Sequence, residues 1–207
     1  LVVNLVSRYR RELPKGLIVV VTRQGASEPA ASSHDVQPGK PPRIRIDGLE
    51  LKGIDQPVTG HRWIGVAGQQ TTLNGSPCAV AAPGSLEDAR FSTTAPEMFA
   101  GDLEPAFGQI RERCWITSYG GDAYAYGLLA SGHLDLILEC GLKRHDIAAL
   151  LPVVEGAGGM LTDFSGDKHG ILAGHEQDAD YEALAVTSAS LAEEVLAILN
   201  GGSPSEK

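Results

Sequence analysis

The feature that most constrains the fold of this chain is an alternation of short apolar runs with segments of helical pattern, from residue 89 to residue 199. Residues 89–93 and 115–118 are β-type runs, and residues 103–113 between them have a helical pattern. Strands that alternate with helices are typical of layered α/β proteins. We therefore predict a layered α/β sandwich. The other predicted elements are strands at 17–21, 62–67, 133–139, 160–164 and 184–187, and helices at 122–130, from 147 to the glycines at 156–159, and at 191–199, the last opened by a capping box of Ser190 and Glu193.

Composition excludes several classes of function. The chain has 207 residues and a formal net charge of −9, which argues against a nucleic-acid partner because phosphate backbones attract cationic surfaces. No apolar run approaches the roughly 20 residues of a membrane span, so no membrane partner is expected. The cysteines, Cys78, Cys114 and Cys140, fit neither a disulfide framework nor a zinc site. We therefore expect a cytoplasmic protein.

The first 42 residues differ in charge and texture from the rest. They hold six basic and three acidic residues, whereas the remainder holds 11 basic and 23 acidic residues. Residues 24–42 are rich in Gly, Ser, Ala and Pro, a composition that buries little apolar surface and favours loop or disorder. We therefore predict an atypical, partly disordered and irregular N-terminal segment at 1–42, followed by an α/β domain at 43–207.

Three acidic residues stand at predicted element ends in the second half of the chain. Asp122 follows a Gly-Gly turn, Glu139 ends a strand and Asp146 begins a helix. Ligands of α/β proteins bind where such ends form a crevice, and carboxylates there could hold a hard cation, hydroxyl groups or an ammonium group. Each residue has a structural alternative: Asp122 and Asp146 could cap helices, and Glu139 could be a solvated strand end.

Residues 120–159 read GGDAYAYGLLASGHLDLILECGLKRHDIAALLPVVEGAGG. This string resembles the C-terminal signature of the inositol monophosphatase family: a helix after a glycine turn, an acidic strand end, Trp-Asp-x-x-Ala and a later Ala-Gly-Gly. His145 stands where the family usually has an aromatic residue. The segments GIDQP (53–57), RWIG (62–65) and TLNG (72–75) look like the histidinol-phosphate phosphatase branch. The implied fold is the C-terminal part of the inositol monophosphatase fold, over residues 53–199.

The resemblance implies roles for the acidic residues. Asp146 resembles the aspartate that ligates magnesium and contacts a substrate hydroxyl, and Glu139 resembles the acid that contacts the organic part of the substrate. Asp122 stands where inositol phosphatases tend to carry a small neutral residue, and an added carboxylate favours a cationic substrate such as histidinol phosphate. The family reaction is hydrolysis of a small phosphate monoester assisted by Mg²⁺. Relatives are commonly dimeric, so a homodimer is expected.

The resemblance fails at the front of the chain. Neither Gly-Glu-Glu nor Asp-Pro-Ile-Asp-Gly-Thr, the family's upstream metal motifs, occurs in the sequence. The nearest echo is Ile46-Asp47-Gly48, which makes Asp47 a weak second candidate for a metal ligand, and no catalytic residue is assigned. We therefore expect the N-terminal metal-binding part to be missing or replaced. Three functions stay open: a magnesium-dependent histidinol-phosphate phosphatase, truncated or intact; an inactive remnant that binds ligands or pairs with subunits; and an inositol monophosphatase.

Overall fold

The computed structural model describes residues 2–4, 18–21, 52–56, 58–168 and 180–201. Six strands form an antiparallel sheet in which each strand pairs with the next along the chain. In this front sheet, β2 pairs with β3, so a strand of the N-terminal segment and a strand of the α/β domain lie side by side. The strands are β1 (Val2–Asn4), β2 (Ile18–Val21), β3 (Lys52–Gln56), β4 (His61–Gly65), β5 (Thr72–Leu73) and β6 (Ser76–Pro77).

A second sheet of five strands carries the candidate site. Its order is β10-β11-β9-β7-β8, with β7 parallel to both β8 and β9 and with β11 antiparallel to its neighbours. The parallel strands bring their carboxyl ends to one edge, which is where loops of α/β proteins bind ligands. The strands are β7 (Arg90–Thr93), β8 (Ile116–Tyr119), β9 (Leu136–Leu142), β10 (Met160–Thr162) and β11 (Tyr181–Val186), and the helices are α1 (Glu104–Arg113), α2 (Asp122–Ala130), α3 (Arg144–Ile147), α4 (Leu150–Gly156) and α5 (Ala189–Leu199).

Two apolar clusters lie on opposite faces of the five-stranded sheet. One joins α2 and α4 to the front sheet through the buried side chain of Trp63, and the other joins α1 and α5 to the far face. The layers are therefore sheet, helices, sheet, helices, which confirms the predicted layered α/β fold. The front sheet can pack closely against α2 because residue 127 is glycine. A Cβ at this position would lie 2.7 Å from the Trp63 ring. Van der Waals packing leaves no room for that atom.

Most predicted elements are confirmed, with differences at their ends. Helix α2 has the predicted bounds, Asp122–Ala130, and β2 matches the predicted strand within one residue. Strand β9 continues to Leu142, past its predicted end at residue 139. The cap of α5 is Ser188, whose hydroxyl accepts a hydrogen bond from the Leu191 amide, so the prediction of a cap at Ser190 is wrong.

The remaining sequence expectations concern the front sheet, residues 24–42, membrane spans and the cysteines. Strands β1, β3, β5 and β6 were not predicted, and the loop or disorder expected for residues 24–42 lies outside the described residues. Every helix in the described part of the chain is too short or too polar to cross a membrane. All three cysteines are free thiols.

Candidate active site

Asp122 is held at the start of α2 by an unusual backbone. Its φ angle is +44°, in the left-handed region that favours glycine, and the preceding Gly120 has φ +81°. The Gly120 amide donates hydrogen bonds to the carbonyl oxygens of Thr93 (3.1 Å) and Thr94 (3.0 Å), which fixes the turn against the end of β7. Gly121 is the residue that precedes the helix, so Asp122 is not its N-cap.

Glu139 lies inside β9, opposite Ala183 of β11, and not at a strand end. Its exposed fraction is 3%, so the alternative of a solvated strand end is also wrong. The phenol of Tyr126 donates a hydrogen bond of 2.9 Å to one carboxylate oxygen, and the Thr94 hydroxyl lies within hydrogen-bond distance of the other. Burial raises the pKa of Glu139 to about 7, although both hydrogen bonds act to lower it.

The Thr94 hydroxyl connects the two candidate carboxylates. Its oxygen lies 3.0 Å from Oδ1 of Asp122 and close to Oε1 of Glu139. Burial raises the pKa of Asp122 as well, and the negative charge of Asp146 contributes to the raised pKa of both groups. The structure therefore brings Asp122 and Glu139 together, with Asp146 near enough for its charge to act on both.

Asp146 is the third residue of α3, so the prediction that it stands at the N-cap is wrong. One of its carboxylate oxygens accepts a hydrogen bond of 2.8 Å from the backbone amide of Lys143, the residue before the helix. A carboxylate at this helical position that reaches back to the capping residue's amide stabilises the first turn. Asp146 thus has a structural role besides its proposed ligand role.

Sequence reasoning missed Thr94 and Tyr126. Both obey rules that were applied only to acidic residues: Thr94 follows directly after β7 at the edge where the parallel strands end. Tyr126 lies four residues after Asp122 on α2, and residues at that spacing share a helix face. A search for hydroxyl side chains at these positions would have found both.

A magnesium ion needs several oxygen ligands in near-octahedral geometry. The described residues contain no group of three or more His, Cys, Asp or Glu side chains arranged to hold a metal ion. Both oxygens of Glu139 have hydroxyl partners, and one oxygen of Asp146 has an amide partner. The described residues alone therefore do not fit a complete magnesium site, and the weak candidate Asp47 lies outside them.

Comparison with known proteins defines the class. The sequence profile of the inositol monophosphatase family matches residues 53–200, and the chain belongs to that family. The solved structure of an inositol monophosphatase from Zymomonas mobilis is 37% identical, with a TM-score of 0.65, and the match covers 72% of this chain and 57% of that one. An inositol monophosphatase from Thermotoga maritima has a TM-score of 0.60 at 24% identity, which supports the fold.

Curated relatives give a finer comparison. The bifunctional phosphatase IMPL2, chloroplastic, of Arabidopsis thaliana is 43% identical over 136 residues, which are 63% of this chain and 39% of that protein. A histidinol-phosphatase of Chlorobaculum parvum is 28% identical over 128 residues, 59% of this chain and 48% of that enzyme. The Nus factor SuhB of Pseudomonas aeruginosa is 28% identical over 133 residues, 61% of this chain and 49% of that protein. The chain thus spans about half the length of these relatives or less.

Proposed function

We propose that this chain belongs to a magnesium-dependent phosphate monoester hydrolase that acts on histidinol phosphate. In this proposal Asp122 and Glu139 bind the organic part of the substrate, and Asp146 is a metal ligand that also contacts the substrate. The observation that carries the choice of substrate is the pair of carboxylates that face one Thr94 hydroxyl. Among the described residues the hydrogen-bond partners of both carboxylates are neutral hydroxyls, and an ammonium group would supply one positive charge and three donors.

The relatives support the proposal without deciding between substrates. A histidinol-phosphatase and a bifunctional phosphatase are among them, and so is an inositol monophosphatase. An inositol ring presents neutral hydroxyl groups, which bring donors but no charge to Asp122. We therefore favour the cationic ester over the neutral one on the chemistry of the site.

The magnesium requirement has a narrower basis. It rests on the family resemblance and on Asp146, because the described residues do not complete an oxygen cage. The choice of a cytoplasmic, reducing compartment is supported by the three unpaired cysteines.

The test is phosphate release from histidinol phosphate and from inositol monophosphate, each with Mg²⁺ and with a chelator. We expect magnesium-dependent turnover that prefers histidinol phosphate, and we expect Asp146→Asn to abolish it. Asp122→Ala should reduce turnover of the cationic ester more than that of the neutral one. Turnover in Asp146→Asn at the unchanged rate would contradict the ligand role, and equal losses in Asp122→Ala would contradict the amine role.

A folded chain that binds histidinol phosphate without turnover would instead favour the ligand-binding alternative. Circular dichroism of the same sample distinguishes this outcome from misfolding. The net charge of −9 disfavours nucleic acid as a partner. Because one relative is a Nus factor, a duplex-binding assay is the appropriate check, and we expect no binding.

The proposed assembly is a homodimer that pairs through β8, the last strand of the five-stranded sheet in the described chain. Its sequence, Ile116-Thr-Ser-Tyr119, has no charge in a chain whose net charge is −9, so the strand itself adds no like-charge repulsion between two copies. Ile116, Tyr119 and the adjacent Trp115 are exposed large apolar residues. Sedimentation velocity should show a dimer that Ile116→Lys converts to monomer, and an unchanged dimer would contradict the choice of surface.

A further inference from the structure

The Thr94 hydroxyl lies between two carboxylates, which cannot both accept its proton at the same time. Its oxygen is within hydrogen-bond distance of Asp122 and of Glu139, and a hydroxyl has one proton to donate. The proton therefore stabilises one carboxylate at a time. Whichever group lacks it depends on another donor or stays without one.

The hydroxyl and its two partners are fixed relative to one another. The Thr94 carbonyl oxygen accepts a hydrogen bond from Gly120, in the turn that leads directly to Asp122. On the other side, the buried phenol of Tyr126 holds the second oxygen of Glu139 at 2.9 Å. Asp122 and Tyr126 belong to the same helix, α2, so the backbone positions of both partners are set by one element.

The two carboxylates differ in their access to solvent. Glu139 is buried, whereas Asp122 is half-buried and is the outer member of the pair. A cation that contacts Asp122 replaces the hydroxyl as its partner, and the hydroxyl proton is then available to the buried Glu139. A hydrogen bond from Thr94 lowers the pKa of the carboxyl group that accepts it, so its loss would favour the neutral form of that group.

We propose that Thr94 is a specificity-determining residue, whose hydroxyl keeps Asp122 and Glu139 available as an anionic pair for the ammonium group of a cationic phosphate ester. This inference rests on the proposed function, because it takes the cationic ester as the ligand. Thr94 acts through the two carboxylates and is a positioning residue in that sense. Without its hydroxyl, the site should bind cationic and neutral esters more equally.

The neighbouring Thr93 provides a matched control. Its side chain is 1% exposed, and its hydroxyl has no hydrogen-bond partner among the described residues. Thr93→Val and Thr94→Val remove the same atom from adjacent positions, with nearly the same change in volume. A general effect of removing a threonine hydroxyl at this end of β7 would appear in both variants, whereas the proposed effect should appear in one.

The experiment measures calorimetric binding of histidinol phosphate and of its N-acetylated form to the full chain, with a chelator present so that turnover does not interfere. Acetylation removes the positive charge and keeps the phosphate. Thr94→Val should reduce the preference for the cationic ligand by about tenfold, the effect of one charge-assisted hydrogen bond. Thr94→Ser, which restores the hydroxyl, and Thr93→Val should keep the wild-type ratio within about twofold.

The outcomes separate this inference from the function on which it rests. A wild-type preference that persists in folded Thr94→Val overturns the role of Thr94 alone. An equal loss in Thr94→Ser also overturns it, because the methyl group would then be the determinant. Equal binding of both ligands by the wild-type chain overturns the proposed cationic substrate and the role of Thr94 with it.

Discussion

Two buried carboxylates lie four residues apart at β9, and their partners differ in kind. Asp135, just before the strand, is 1% exposed and accepts two hydrogen bonds from the Arg90 guanidinium, at 2.7 and 2.8 Å, and one from the Arg90 amide. Glu139 accepts its hydrogen bonds from two neutral hydroxyls. The first carboxylate is neutralised by a fixed cation at the amino end of β7. The second, near the carboxyl end of β7, has no such cation among the described residues, which would suit it to a cation that arrives with a ligand.

The largest effect should come from breaking the neutralised pair. Arg90→Met leaves the Asp135 carboxylate buried without its cation, which typically costs about 3–5 kcal/mol of unfolding free energy. Urea unfolding at pH 7 measures the loss. Adding Asp135→Asn to Arg90→Met should recover part of it, because the buried charge is then removed. A loss below about 1 kcal/mol in the single variant would show that the pair is not needed for stability.

A smaller, pH-dependent effect is expected at Glu139. Its pKa rises from 4.5 in the unfolded chain to about 7 in the folded one, so the folded state holds a proton that the unfolded state has lost between these values. The contribution of this proton to the free energy of unfolding, on the order of 3 kcal/mol, is fully present below the lower pKa and is lost as the pH rises through the higher one. The side chain of Glu139→Gln does not titrate and stays neutral, so this variant should be more stable than wild type at pH 8, where wild-type Glu139 carries a buried charge.

Unfolding of both proteins at pH 5 and pH 8 tests this sign. Titratable groups that do not interact with Glu139 contribute equally to both proteins and cancel in the difference. A constant difference between wild type and Glu139→Gln across this pH range would contradict the buried, uncompensated state of Glu139.

A smaller effect on the free energy of unfolding is expected at Asp122, because of its backbone conformation. Its positive φ angle costs a residue other than glycine about 1 kcal/mol, so Asp122→Gly should stabilise the fold by that amount while weakening binding of a cation. Asp122→Asn, which tolerates the same backbone, is the control that removes charge alone. A glycine variant less stable than the asparagine variant would show that the Thr94 hydrogen bond outweighs the strain.

The smallest effect is expected at an exposed pair of the same chemistry. Arg62 and Asp55 face each other across β3 and β4, at 3.0 Å, with the Arg62 side chain 36% exposed. Arg62→Gln should cost about 0.5 kcal/mol or less, and added salt should shrink the loss further. A loss as large as that of Arg90→Met would contradict the idea that burial makes the Arg90–Asp135 pair more important for stability than an exposed pair.

The sequence predicted well where local signals agree. Helix α2 has its predicted bounds because a glycine turn precedes it and Gly132, with φ +73°, follows it. The end of β9 was misplaced because an acidic residue usually marks a strand end. Glu139 stays inside the sheet only because Thr94 and Tyr126, 45 and 13 residues away, supply its hydrogen bonds. Such compensation has no signature within the strand itself.

The site was predicted in part for the same reason. Spacing and resemblance identified the three carboxylates, yet their chemistry depends on contacts between elements that single-sequence patterns do not specify. Strand β3 was missed because Lys52-Gly-Ile-Asp-Gln56 has little β-branched character, and its place between β2 and β4 comes from pairing. Local preference sets element type here, whereas tertiary pairing sets element length.

The glycine contact between α2 and the front sheet gives the chain an optical property. Of its two tryptophans, Trp63 is buried against Gly127 and donates a hydrogen bond of 2.7 Å to Ser131, whereas Trp115 is 71% exposed. Iodide in solution should quench the exposed Trp115 and not the buried Trp63, so we expect the unquenched emission to come from Trp63. Since the helix against which Trp63 packs begins at Asp122, this emission should report how α2 packs on the front sheet.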